Sequence, residues 1–253
     1  MEIAVSSWSL RSHINREFPV EEFGRVVHER FGVSAVELCQ MHVPRQDAWF
    51  LDRILEAYNA AGVHVVNMPI DVGNISRLDD KGRRHDVRII EGWLEVAHYL
   101  GSPCARVNLG SNPKNDLAVT IESLQELAAY AGKLGMTLLV ENHGGLSSNP
   151  DHLLSVTHAV GTQHFALLPD FGNFPAEIRY AALAQIAPLA AVVHAKTYDF
   201  DERGELPQFD FARCLRIVKD AGFDGPVSVE FEGQGDQYAG VEQTIRLIRQ
   251  HWG

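Results

Sequence analysis

The sequence predicts an α/β protein, a (β/α)8 TIM barrel built as a single domain over residues 1–253. Three observations carry that expectation. Eight short runs rich in Val, Ile, Leu and Phe alternate with eight longer segments whose apolar residues recur at helical spacing. A chain of 253 residues suits one barrel, a fold of about 250 residues. Four successive runs of the second half end in Glu141, Asp170, His194 and Glu230, three carboxylates and an imidazole that can share one cation. An open doubly wound sheet ordinarily has fewer strands and often a glycine-rich phosphate turn, which is absent here.

In chain order the strand-like runs fall near 3–8, 35–39, 64–70, 105–109, 137–142, 165–170, 191–196 and 227–232. The helical segments fall near 20–31, 47–61, 83–100, 116–134, 151–160, 178–187, 210–221 and 239–251. The clearest is 116–134, where Leu117, Ile121, Leu124, Leu127 or Ala128, and Ala131 share a face, with Asp116 suited to the N-cap and Gly135 to the C′ position. Gly62, Gly101, Gly135 and Gly222 each stand just before a new run, where helix stops belong. The connections 69–80 and 197–207 exceed the usual βα-loop length and are expected to overhang the barrel mouth and close over a substrate. Arg77, Arg83 and Arg84 are the main basic residues there for a phosphorylated substrate, which nothing in the sequence demands.

Composition narrows the function classes. Hydrophobic content of 45% and charged content of 22% allow a substantial core. A net charge of −11 opposes binding to phosphate backbones, so no nucleic-acid partner is expected. No apolar window approaches the roughly 20 residues of a membrane span, and the first residues lack the basic and apolar pattern of a secretory signal. Cys39, Cys104 and Cys214 are odd in number and far apart, as in a protein of a reducing compartment, and the expected location is the cytoplasm. No linker or low-complexity tract divides the chain.

In a TIM barrel the C-terminal ends of the strands line the site. From the first run to the fourth, those ends carry Ser7 and Trp8, Glu37 with His42, Asn67 and Asp71, then Arg106, Asn108 and Lys114. The other four carry Glu141 with His143, Asp170 with Asn173, His194 with Lys196, and Glu230 with Glu232. Alternation along a strand puts 141 and 143 on one face, and likewise 194 and 196, and 230 and 232. Two polar groups per strand then reach one cavity at different depths. Single positions also have plainer readings: Asp170 as a turn former, Glu37 as an arginine's partner, His194 as a structural histidine, Trp8 and Trp49 as packing rather than a wall for a sugar ring.

The chain resembles the xylose-isomerase-like TIM barrels, the superfamily of sugar phosphate isomerases and epimerases that also includes endonuclease IV. The matching words are Val36-Glu37-Leu38, the stretch from Val140 to Gly145, Pro169 to Asn173, Val193 to Lys196, and Val229 to Gly233. The resemblance implies one divalent ion on Glu141, Asp170, His194 and Glu230, as in the ketose epimerases, and a small ketose, polyol-derived or related carbohydrate substrate. Endonuclease IV gathers several zinc ions with further histidines. Here His42, His64, His143 and His194 do not complete such a set.

Hard oxygen and nitrogen donors suit Mn2+ first, with Mg2+, Co2+ or Zn2+ as alternatives. Glu141 and Glu230 are the expected proton-transfer pair around an enediolate, with Lys196 and His143 as further catalytic candidates. Glu37, Trp8, Asn108 and Asn173 are the candidate substrate contacts. Two other classes remain open. In a lyase or dehydratase, Lys196 or His143 would protonate a leaving group; a noncatalytic sugar-binding barrel would require an incomplete metal set. A homo-oligomer is compatible with either enzyme.

Overall fold

The computed structural model describes residues 1–110 and 117–252, so the expected mouth residue Lys114 and the expected cap Asp116 lie outside the described residues. Strands β1 (Glu2–Ser6), β2 (Ala35–Glu37), β3 (His64–Ile70), β4 (Cys104–Val107), β5 (Thr137–Glu141), β6 (Phe165–Leu168), β7 (Val193–Thr197) and β8 (Pro226–Phe231) alternate with helices. These are α1 (Phe23–Phe31), α2 (Ala48–Ala60), α3 (Asp80–Tyr99), α4 (Leu117–Lys133), α5 (Pro150–Val160), α6 (Arg179–Ile186), α7 (Phe211–Asp220) and α8 (Gln237–Trp252). All the strand pairs are parallel, in the order β6-β5-β4-β3-β2-β1-β8-β7. The two edges meet through Leu167–Ala190 and Asp170–His194 bridges, which close the (β/α)8 barrel.

That last seam explains where a sequence expectation was too long. The sixth run was expected to continue to residue 170, but regular pairing stops at Leu168. Pro169 has no N–H to give to a ladder; its carbonyl instead accepts from His194 N at 2.9 Å, and Phe171 N donates to His194 O at 3.2 Å. Asp170 is thereby tied to β7 by backbone pairing, where ladder pairing to β5 has ended. The segment expected as one helix over 20–31 begins instead with a 3-10 turn at Val20–Glu22 behind Pro19.

Outward-facing strand residues such as Val5, Val36, Val140, Val193 and Val229 belong to the main core with the helices' inner faces. Inside the barrel, alternation builds a second, smaller apolar layer from Cys104, Leu139, Leu168 and Val192. Each lies two residues before a polar residue of the mouth: Arg106, Glu141, Asp170 and His194. The polar site therefore rests on a dry floor. Among the described residues no helix is long and apolar enough to cross a membrane.

Helix α8 seals the β7–β8 side of the barrel closely. Thr197 and Thr244 hydroxyls bond at 2.6 Å, and a Cβ built on Gly240 would stand 2.5 Å from the buried Phe231 ring. Gly240→Ala should therefore lower the unfolding free energy by about 1–3 kcal/mol, read from urea denaturation. An unchanged midpoint would contradict this packing.

Candidate metal centre

Glu141, Asp170, His194 and Glu230 are all buried, and one ligand atom from each lies within 4.8 Å of the others. His194 Nδ1 faces all three carboxylates, at 3.2 Å from Glu141 Oε1, 3.4 Å from Glu230 Oε2 and 3.8 Å from Asp170 Oδ2. Glu141 Oε2, Asp170 Oδ2 and Glu230 Oε2 are buried without a hydrogen bond, although cationic nitrogens lie within ion-pair distance of them. Buried carboxylate oxygens are normally satisfied; Asp170 Oδ2 and Glu230 Oε2 face His194 Nδ1 together with Glu141 Oε1, while Glu141 Oε2 faces Arg106, and three carboxylates converging on one imidazole nitrogen fit a divalent cation.

Local structure sets each ligand. Asp170 is both the turn former and the ligand candidate: Oδ1 accepts from Gly172 N at 2.7 Å and Asn173 N at 2.8 Å, leaving Oδ2 for the cluster. Asn142 clamps its backbone from both sides, donating to Asp170 O at 3.0 Å and accepting from Asp170 N at 2.7 Å. Glu141 Oε1 accepts from Asn173 Nδ2 at 3.1 Å, and Oε2 lies 3.1 Å from Arg106 Nε. His143, a candidate orienter of Glu141, is exposed at the mouth with no such contact; Asn173 and Arg106 are the groups beside Glu141.

Glu37 occupies a place different from the expected substrate contact. It is fully buried, and its two oxygens lie 3.0 and 2.9 Å from His194 Nε2, with Asn67 Nδ2 donating to Oε2 at 2.7 Å. The carboxylate stands behind the imidazole, away from the cluster. Asn173, also expected to contact substrate, spends its amide between Glu141 and Lys196 Nζ, the latter at 3.2 Å.

Lys196 is 1% exposed. Its ammonium lies 3.0 Å from Glu230 Oε2, 3.2 Å from Glu232 Oε1 and 3.6 Å from Asp170 Oδ2. A side chain at Gly172 would collide with its stem, since a Cβ there would lie 2.9 Å from Lys196 Cδ. Trp8 Nε1 donates to Glu232 Oε1 at 2.9 Å, so the indole and the ammonium share one carboxylate.

These groups balance charge with protons among themselves. Burial and the neighbouring carboxylates push the Asp170 carboxyl well up despite Lys196, while burial of Glu141 is outweighed by His194 and Arg106, which hold it down to about 2. Burial works against an imidazolium at His194, but Glu37, Glu230 and Glu141 raise it well above its ordinary value. Burial is likewise overcome at Lys196 by Asp170 and Glu230, keeping the ammonium charged.

Above the cluster lies a cavity of about 360 Å3, bordered by Trp8, Met41, Arg106, Asn108, His143 and Glu232 among others. Arg106 and Asp71 belong to it, although residue types alone did not single them out for a role. Arg106 NH1 donates to Asp71 Oδ1 at 2.5 Å and to Asn108 Oδ1 at 3.1 Å, and Asn108 Nδ2 donates to the same Asp71 oxygen at 2.9 Å. Trp49 is no part of this wall; it is exposed on α2, beneath the guanidinium groups of Arg45 and Arg53. Arg77, Arg83 and Arg84 are spent on Asp86 and Asp80. The 197–207 connection borders a separate hollow with α8, fastened by Asp199 to the amides of Gln234 and Gly235 and by Gly204 to Gln243.

A sequence model of the family described as "Xylose isomerase-like TIM barrel" matches residues 27–251. Local likeness links the chain to the C-glycoside deglycosidase alpha subunit of Arthrobacter globiformis, 38% identical over 64 residues, 25% of this chain and 18% of that one. The 3'-dehydrocarminate deglycosidase alpha subunit of a Microbacterium species is 37% identical over 73 residues, 27% of this chain and 21% of that one. This chain thus matches about a fifth of either subunit's length. Among solved structures, an L-ribulose 3-epimerase superposes with TM-score 0.81 at 18% identity, covering 100% of this chain and 95% of that one. The E. coli 3-keto-D-glucoside 4-epimerase gives 0.78 at 16% over 99% of both chains. The IOLI protein with a bound zinc atom gives 0.80 at 16% over 100% and 98%. These superpositions show the fold.

His42 bonds Ser7 Oγ through Nδ1 at 2.9 Å, and burial pushes its imidazole from 6.5 down to about 4. The folded value lies below the unfolded one, so His42 costs no stability above pH 6.5 and progressively more as pH falls toward 4. The loss should be on the order of 2–3 kcal/mol. Urea midpoints measured across that range should fall less steeply in His42→Gln than in the parent; identical slopes would contradict the assignment.

Proposed function

This chain belongs to the xylose isomerase-like TIM barrel family, and from that premise and the buried cluster we propose a divalent-metal-dependent isomerase or epimerase of a small ketose or related carbohydrate. The observation that carries the reading is the convergence of three buried carboxylates on His194 Nδ1, with Glu141 Oε1 at 3.2 Å, Glu230 Oε2 at 3.4 Å and Asp170 Oδ2 at 3.8 Å. The epimerase names of two structural neighbours, and the zinc in a third, agree with it. The ligand set is hard, which favours Mn2+ or Mg2+ over Co2+ or Zn2+. The three free buried thiols suit the reducing cytoplasm.

What a divalent ion supplies here is polarisation of the substrate carbonyl and an offset for the negative charge of the enediolate. Glu141 and Glu230 come from strands three places apart around the barrel, so a sugar between them presents opposite faces to the two carboxylates. In an epimerisation one removes the α-proton and the other returns a proton to the opposite face; in an aldose–ketose isomerisation one carboxylate moves it between adjacent carbons. Asn173 and Arg106 hold Glu141 in place, and Lys196 holds Glu230 while offering an N–H to a developing oxyanion. Glu37 takes the His194 Nε2 proton in a hydrogen bond, which turns the Nδ1 lone pair toward the ligand cluster. Trp8 and Met41 give the cavity an apolar wall, and Asn108 and His143 give it polar groups. No free arginine among 77, 83 and 84 calls for a phosphate.

The deglycosidase names of the partial relatives favour one second reading, β-elimination from a keto-sugar, with Lys196 or His143 protonating the leaving group. One experiment separates the readings. Metal-loaded protein is incubated with ketoses and keto-sugars in deuterated water and followed by NMR: α-deuteration of a rearranged sugar supports isomerase or epimerase, loss of water or an alcohol supports elimination, and no exchange with any metal sinks both. Glu141→Gln and Glu230→Gln should each slow exchange by about 10²-fold or more; full turnover in either would falsify its role. Glu37→Gln should weaken metal binding by roughly 10–100-fold in calorimetric titration, and an unchanged affinity would remove Glu37 from the centre.

A further inference from the structure

The cavity above the cluster does not end at its polar side. A second cavity of about 280 Å3 adjoins it, and the two share Asp71, Asn108 and His143. The second lobe is bordered by Asn74 from the β3–α3 connection, by Gly110 beyond β4, and by Gly144 and Ser147 beyond β5. At roughly 30 Å3 per liquid water it has room for about nine solvent molecules, enough for one sugar ring with water to spare.

Its chemistry is that of a neutral, hydroxyl-rich ligand. The Asp71 carboxylate is held rigidly, because Arg106 and Asn108 both donate to Oδ1, yet Oδ2 accepts nothing among the described residues and the side chain is 37% exposed. Asn74 Oδ1 is spent on Ser76, and among the described residues neither the Asn74 amide N–H groups nor the exposed His143 ring has a hydrogen-bond partner. Gly110 and Gly144 have φ of 103° and 78°, conformations open to glycine, so the backbone there is bare of side chains. Acceptors, donors and exposed backbone are what a polyol ring needs. Among the described residues bordering the lobe an anion lacks a partner: the Arg106 charge is already shared by Asp71 and Glu141.

We propose that this second lobe is a glycosyl subsite, so that the substrate is a ketose or keto-sugar carrying a second sugar residue, its reacting ring over the cluster and its other ring between Asp71, Asn74 and His143. This rests on the proposed isomerase or epimerase reading for which ring reacts, but the contact itself does not. The clamp gives the second ring a route to the reacting one. A hydroxyl on Asp71 bears on the group that positions Arg106, and Arg106 touches Glu141.

The test uses Mn2+-loaded full-length protein with fructose and three glycosylated fructoses, isomaltulose, maltulose and lactulose. Saturation-transfer NMR should place at least one disaccharide with its non-reducing ring in contact with protein. That disaccharide should also exchange its α-proton at least tenfold more efficiently than fructose, as kcat/KM. Asn74→Phe, which fills the lobe, should cut that advantage at least fivefold and erase the second ring's saturation relative to the first. Asn74→Ala, which removes only the amide, should lower it less and guards against misfolding of the larger variant. Saturation confined to the fructose ring in every disaccharide overturns the subsite whatever the exchange rates, and so does an advantage undiminished in Asn74→Phe. A saturated second ring with no exchange of any sugar leaves the subsite standing and overturns the proposed reaction instead.

Discussion

Everything at the mouth of this barrel depends on crowding negative charge where water cannot reach. Glu37, Glu141, Asp170 and Glu230 are buried together, and among the described residues Arg106 and Lys196 are the only permanent cations in the buried groups beside them. At about 4 Å and an effective dielectric near 20, each like-charged pair costs about 4 kcal/mol. The surplus of two negative charges has two remedies, protons or a dication. The raised Asp170 and His194 values are the first; the orphaned oxygens are the mark of the second.

The fold makes that crowding tolerable. The apolar floor of Cys104, Leu139, Leu168 and Val192 keeps water from below, and Asp170 and Glu141 each have one oxygen held by hydrogen bonds. Asp170 is fixed by its own turn and by Asn142, Glu141 by Asn173, and the imidazole by Glu37. With their orientations set before any substrate arrives, little reorganisation is left for the reaction itself. The entrance above is asymmetric, apolar at Trp8 and Met41 and polar toward Asp71 and His143.

Much of this was legible in the sequence, for a physical reason. Apolar strand runs ending in a carboxylate or histidine are expensive unless those ends meet, so the barrel and the four convergent residues could be read from pattern alone. The supporting layer could not. Glu37 looks the same in sequence whether it faces a sugar or the back of an imidazole, because both faces of a barrel's rim are reached from one strand end. Asn142 lies on the opposite strand face from Glu141, and its clamp on Asp170 follows from Pro169 breaking the ladder, a consequence of pairing between strands rather than of either strand. The 197–207 loop was expected to close over the mouth from its length; its fastening depends on Asp199 finding backbone amides beyond β8, which length does not report.

The most direct measurement is anomalous diffraction at the manganese edge from crystals soaked in Mn2+. The account predicts a single strong peak inside the barrel mouth, bonded to Glu141, Asp170, Glu230 and Nδ1 of His194. A peak at surface carboxylates alone, or coordination through His194 Nε2 with Glu37 as a ligand, would contradict it.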